Sequence, residues 1–288
     1  MLDTALGRLR PAALATLTVA LLALTTGCSS DSAETAVPGT PATAQKRAGT
    51  KTVDRLIAEQ APADASLLPP GSTAAKIKES GTLIVGGTQT AALFSQLDPT
   101  TGKVEGFDAA MSRLLAKYII GEPKTKLVNV TAATREALLK NHSVDAVLAT
   151  YTITPERSKV IGFAGPYYVD GLGIQLRQDE QDITSLNDLR GKTVTTQSGS
   201  TAAAVLNERV PSAKIQLFDT NTECVQALRQ GRADAYVLDQ GVLAGNSSTN
   251  PDIKVLPKTY DKKPYGIGAR HGHGPRAGAE RCWRRPVR

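Results

Sequence analysis

Thr150, Thr152 and Arg157 follow one another closely, directly after the strand-like run Asp145–Ala149. Two hydroxyls, the N–H groups of a turn and one guanidinium thus gather at the C-terminal end of a strand, where open α/β sheets bind ligands. Arginine grips a planar carboxylate through two parallel N–H donors. The chemistry implied is a carboxylate-binding cleft. A second anion-seeking element is Gln197-Ser198-Gly199-Ser200-Thr201, a glycine turn between a strand and a helix. The N–H groups of Ser200 and Thr201 open that helix, where unpaired donors and the helix dipole favour negative charge. Asp239 follows the strand Ala233–Leu238. Its carboxylate can meet a cation, or it can cap the helix that comes next. Arg135, after Thr134 at the start of a short helix, reads either as a second ligand-facing cation or as a solvated charge.

The elements that must hold these groups alternate, as in α/β domains. Ordered structure is expected from Thr73–Lys78. Strands are expected at Thr82–Gly86, Lys126–Val130, Asp145–Ala149, Leu172–Arg177, Thr193–Thr196, Lys214–Phe218, Ala233–Leu238, Ile253–Leu256 and Tyr265–Gly268. Between them, Phe107–Ile120 reads as a helix with apolar residues at 107, 111, 114, 115 and 118, the spacing of one face. Shorter helices follow: one capped by Thr134 through Lys140, one at Thr201–Glu208, one capped by Asn221, and one starting at Gln240. Cys224, inside a helical pattern, reads as a small buried hydrophobe.

Thr152-Ile153-Thr154-Pro155-Glu156-Arg157 followed by Phe163-Ala164-Gly165-Pro166-Tyr167-Tyr168 resembles the family 3 solute-binding proteins of ABC importers, which take polar amino acids. The resemblance runs from about Ala75 to Gly268. It includes Gly106-Phe107-Asp108, Asn187-Asp188-Leu189-Arg190-Gly191-Lys192, Gly231-Arg232-Ala233-Asp234-Ala235 and Pro264-Tyr265-Gly266-Ile267-Gly268. It implies an α/β, two-lobe, periplasmic-binding-protein-like fold of type II, each lobe a mixed sheet flanked by helices, closing by a hinge. Lobe 1 would comprise 73–169 and 261–268, and lobe 2 would comprise 170–260. In the site so implied, Arg157, Thr152, Ser200 and Thr201 take the α-carboxylate, with Gln197 beside them. Asp239 takes the ammonium, helped by Thr150 and Thr152. Arg135 takes a side-chain carboxylate, and Phe94 covers the ligand's aliphatic part. The loop Gly87–Leu97 departs from the pattern of actinobacterial glutamate binders, with Thr88, Gln89 and Thr90 where a lysine, an aromatic and an acid are common. Without an acid there, lysine and arginine are poor ligands. Glutamate is the ligand expected first, with glutamine, aspartate and asparagine open.

The 288 residues carry a net charge of +7, but it is unevenly placed. Residues 269–288 contribute +5 and residues 1–27 contribute +1, leaving a nearly neutral body with no stripe to track nucleic-acid phosphates. Arg8, Arg10 and the apolar run Ala12–Leu24 make a signal segment. Thr25-Thr26-Gly27-Cys28 resembles a lipobox, with Cys28 as the lipidated residue on the outer face of the cytoplasmic membrane. Residues 28–72, rich in Ala, Thr, Ser and Pro, read as a disordered tether. Residues 269–288 lack apolar periodicity and look like a gene read in a shifted frame, leaving lobe 1 incomplete; the alternative is a basic membrane anchor. No cofactor, metal or catalytic residue is expected. The expected partners are a small amino acid and an ABC permease, with the protein acting as a monomer. A sensor domain signalling to a membrane kinase or receptor, and an enzyme on the same fold such as a dehydratase or a murein-cleaving enzyme, are the competing classes.

Overall fold

The computed structural model describes residues 52–271. Strand β1 (Leu83–Gly87) lies between β5 (Thr125–Asn129) and β6 (Ala146–Val147), parallel to both. Leu83 and Val85 of β1 are fully buried, as expected of a strand with covered faces. Helices α2 (Thr73–Ser80) and α3 (Phe107–Ile120) cover one side, and α4 (Arg135–Lys140) lies against β1 and β6. A small antiparallel sheet, β2 (Thr90–Ala91), β3 (Ser95–Leu97) and β4 (Val104–Glu105), stands apart.

Two long strands then join this lobe to the next. After α5 (Pro155–Ser158), β7 (Gly162–Arg177) runs for 16 residues, and near the end of the described chain β12 (Tyr260–Ala269) returns antiparallel to it. The first part of β7 pairs with β12, and its last part pairs with β10 (Ala235–Asp239) and β11 (Ile253–Val255). Strands β8 (Thr193–Gln197) and β9 (Lys214–Phe218) complete the second lobe's sheet. The order is β5-β1-β6-β12-β7-β10-β8-β9, so β7 and β12 are the two crossing segments of a two-lobe α/β fold. Helices α6 (Thr201–Arg209), α7 (Asn221–Arg229) and α8 (Gln240–Thr249) flank the second lobe. One apolar cluster there gathers Leu172, Ile174, Leu206 and Val237; a second joins Cys224, Leu228 and Leu243 to Ala91 and Phe94 of the first lobe. Cys224 is fully buried, and burial pushes its thiol up to about 12.

Four expectations need correction. The tether expected through residue 72 stops short: residues 52–59 form helix α1, and Ile57, Ala63 and Leu68 are buried. Ala63 N–H donates to the Tyr118 carbonyl (2.7 Å), and Asp54 pairs with Arg113 (2.8 Å), so this segment packs on α3. The helix Phe107–Ile120 forms as predicted but is rotated: Asp108, Ser112, Leu115, Ala116 and Ile119 are its buried residues, while Phe107 is partly exposed. Asp108 turns inward because its carboxylate has two donors to satisfy there, described below. Thr220, not Asn221, caps α7, with Glu223 closing a reciprocal capping box. The first residues of the expected aberrant tail belong to lobe 1: Ala269 closes β12, and Arg270 donates from Nη1 to the Val144 carbonyl (2.8 Å). Residues 1–51 and 272–288, which hold the expected signal segment, Cys28 and the rest of the basic tail, lie outside the described residues.

Candidate functional site

Thr150, three residues past the end of β6, adopts a left-handed conformation, φ +44°, and turns the chain toward Tyr151 and Thr152. Asp108 fixes that turn: Oδ2 accepts from Thr150 N–H (2.7 Å) and Oδ1 from the Tyr167 hydroxyl (2.9 Å). Burial raises Asp108 to about 6, against the lowering effect of those two bonds. Thr154 then caps α5 by accepting from the Arg157 N–H (3.2 Å). The cap places the Arg157 guanidinium over the Thr152 carbonyl, to which Nη1 donates (2.8 Å). Its Nη2 reaches the other lobe and donates to the Gly199 carbonyl (3.0 Å).

Arg135 is not a solvated charge. It is 3% exposed, its Nη1 donates to the Ala149 carbonyl (2.6 Å), and its Cζ stands 3.9 Å from the centre of the Tyr151 ring. The Arg157 Cζ lies 5.1 Å from the same ring, so two cations share one aromatic face system. Arg135 Nε is buried with no hydrogen-bond partner. Burial pulls Arg135 down to about 10, with the nearby Arg157 charge adding to the shift. Burial also lowers Arg157, the larger effect on that residue. Among the described residues, no carboxylate lies within 4 Å of either guanidinium.

The opposing charge comes from the second lobe. Asp239 is 9% exposed, and although it stands at the N-terminus of α8, its side chain makes no capping bond. Burial pushes its carboxyl up to about 7, and the Asp170 charge raises it further; Arg135, the Tyr265 hydroxyl and Arg157 pull the other way. Thr152, Thr201, Asp239, Asp170, Lys263 and Tyr265 line one crevice between the lobes, too narrow for a water-sized sphere as it stands. A second, open recess is lined by Glu136, Lys140, Tyr151, Arg157 and Gly199 among others.

The nine expected ligand residues are placed in different ways. Thr152, Thr201 and Asp239 line the crevice, and Arg157 lines the open recess. Arg135 sits behind Tyr151 and lines neither cavity. Ser200 is the N-cap of α6: its Oγ accepts from Ala203 N–H (3.3 Å), and its own N–H donates to the Gln197 carbonyl (3.2 Å), so that amide is already engaged. Phe94 is buried, edge-on to Tyr168 (5.2 Å) and Tyr265 (5.9 Å). The lobes touch where side chains are small: a Cβ on Gly199 would fall 2.8 Å from the Ala132 carbonyl oxygen, and one on Gly245 2.7 Å from Ala92 Cβ. Asn221 Nδ2 donates across the gap to the Thr90 carbonyl (2.8 Å). Residue reading missed Tyr151 and Asp170. The aromatic between Thr150 and Thr152 was a visible signal for the first; the acid after Pro166-Tyr167-Tyr168-Val169 was one for the second.

Comparison with known proteins gives a consistent picture. The model of bacterial extracellular solute-binding proteins, family 3, matches residues 83–237. The glutamine-binding protein of Geobacillus stearothermophilus is 36% identical over 255 residues, 87% of this chain and 89% of that protein. The glutamate-binding protein GluB of Corynebacterium glutamicum is 38% identical over 144 residues, 48% of this chain and 49% of that protein. The crystal structure of a cysteine-binding protein from Campylobacter jejuni is similar with a TM-score of 0.66 and 32% identity, over 69% of this chain and 81% of that one. The same motifs, the two crossing strands and these matches agree: the chain belongs to the bacterial extracellular solute-binding proteins, family 3.

Proposed function

We propose that this protein captures glutamate in the interlobe crevice and presents it to an ABC importer. Arg157, with Thr152 and the Thr201 N–H, takes the α-carboxylate. Asp239, with the Thr150 carbonyl, takes the ammonium. Arg135 takes the side-chain carboxylate, and Phe94, with Gln197 and Ser200 at the rim, bounds the pocket. The observation that carries this assignment is the buried Arg135 guanidinium and the half-buried Arg157 guanidinium, neither with a carboxylate within 4 Å, set against a buried aspartate from the other lobe. Charges taken out of water need partners, and a dicarboxylic amino acid supplies two anions and one cation. The crevice is narrow, so entry requires the lobes to part about β7 and β12. Glutamine is the second candidate, favoured by the extent of the match to the glutamine-binding relative. Lipidation at Cys28 would hold the protein at the outer face of the membrane. Calorimetric titration of the full chain with glutamate, glutamine, aspartate and asparagine tests the assignment; glutamate is expected to bind tightest, and tighter binding of glutamine would transfer it to the amide.

A further inference from the structure

Every helix N-terminus leaves N–H groups without an internal partner, and an aspartate at the N-cap is among the best residues to satisfy one. Asp239 occupies that position on α8 yet makes no capping bond. The N–H of Gly241 donates instead to Asp170 Oδ2 (3.0 Å), a residue of the crossing strand β7. The approach depends on glycine: a Cβ on Gly241 would stand 3.0 Å from that same oxygen. Asp170 is itself held, by the Tyr265 hydroxyl on Oδ2 (3.2 Å) and by the Gly171 N–H on Oδ1 (2.8 Å). Three donors occupy its oxygens, most of what a carboxylate can accept. Asp239, by contrast, pairs in register with Leu172 of β7 and turns toward the crevice.

We propose that Asp170 is a positioning residue: from the crossing strand it caps α8 in place of Asp239, and so keeps the Asp239 carboxylate free for a cation in the crevice. The role assigned to that cation, the ligand ammonium, rests on the function proposed above. The charged and titratable groups acting on Asp239 are Asp170 from β7, Arg135 from α4, Arg157 from α5 and Tyr265 from β12. Two carboxylates side by side repel, but the Gly241 N–H and the Tyr265 hydroxyl both donate to Asp170 and hold it there. Tyr265 and Asp170 lie on the two crossing strands, so the cap also ties α8 to the segments about which the lobes move.

The test uses the full chain and four proteins: wild type, Asp170→Asn, Asp170→Ala and Asp239→Ala. The Asp239 carboxyl and the Gly241 amide are followed by NMR against pH without ligand, and glutamate binding is measured by calorimetry. Asparagine can still accept from Gly241, so Asp170→Asn is expected to lose less glutamate affinity at neutral pH than Asp170→Ala does. Its Asp239 carboxyl should titrate at lower pH by about one unit, because a like charge is gone. In Asp170→Ala, Asp239 should swing back to cap its own helix. The Gly241 amide would then follow the Asp239 titration, and affinity should fall at least tenfold. Wild-type affinity in Asp170→Ala, or a Gly241 amide that never follows Asp239 there, overturns the proposal. If Asp170→Ala does not fold, Asp170→Asn decides: an unmoved Asp239 titration overturns it. Undiminished binding by Asp239→Ala would instead refute the ammonium assignment, while the ligand-free NMR still decides the cap.

Discussion

Burial decides the chemistry of individual residues here. Arg135 carries a full charge at 3% exposure and leaves Nε without a partner, a cost that a carboxylate ligand would offset. Arg135→Ala is therefore expected to weaken glutamate far more than glutamine, since only glutamate offers a second carboxylate. Calorimetry with both ligands checks this, and equal losses would remove Arg135 from the side-chain site. Asp239 gives a prediction in pH. Its folded pKa of about 7 lies above the unfolded value near 3.8, so between those limits the native state holds a proton that the unfolded chain has lost. On this group alone, the ligand-free protein loses stability as pH rises through that window. An ammonium ligand needs Asp239 ionised, so binding at pH 6 should expel that proton. The measured binding enthalpy at pH 6 should then differ between buffers of different ionisation enthalpy; the same enthalpy in both would contradict it. Thr150, Thr152, Arg157 and Asp239 were legible as chemistry because their types are distinctive and because Thr150, Thr152 and Asp239 stand at or soon after a strand end. Asp170 was not, because nothing in residue order says that the middle of a crossing strand lies against the start of α8.

Elements would carry the proposed closure. Strand Lys214–Phe218 and the helix Phe107–Ile120 form with the bounds that alternation and periodicity predict. The face of α3 was misjudged because Asp108 and Ser112 are polar residues buried for their hydrogen bonds, which a count of apolar spacing cannot see. Residues 52–72 were misjudged because three apolar side chains, Ile57, Ala63 and Leu68, suffice to dock a segment of tether-like composition. The long strands β7 and β12 were legible only in fragments, since a strand that changes sheet partners midway has no single pattern. Helix α8 offers a clean test of closure. Gly245 has ordinary helical geometry, and alanine is favoured over glycine in a helix by about 1 kcal/mol. Yet its Cβ would meet Ala92 Cβ at 2.7 Å and Leu93 Cγ at 2.9 Å on the facing lobe. Gly245→Ala should keep or raise the melting temperature while weakening glutamate by about tenfold, or ~1.4 kcal/mol. Unchanged affinity would mean that the lobes need not approach this closely.

At the scale of the molecule, the proposed site takes opposite charges from two lobes, and the proposed leader segment would decide where that site operates. Cys28→Ser should release the protein from membranes into the soluble fraction, provided the leader is still cleaved; normal membrane retention with unchanged mobility would refute lipidation. The central claim is that Arg157 in lobe 1 and Asp239 in lobe 2 hold one amino acid between them. Arg157 is the more direct probe, because its guanidinium already spans the gap to the Gly199 carbonyl (3.0 Å) and serves the carboxylate common to all amino acids. Truncating one member of a desolvated charge pair costs roughly 2–5 kcal/mol, or about 30-fold or more in affinity. The decisive measurement is calorimetric titration of glutamate into the full chain and into its Arg157→Ala variant, with both shown to melt cooperatively. Saturable binding by the first and a loss of about 30-fold or more in the second is the predicted result; binding within about threefold of each other, roughly 0.6 kcal/mol, would contradict it.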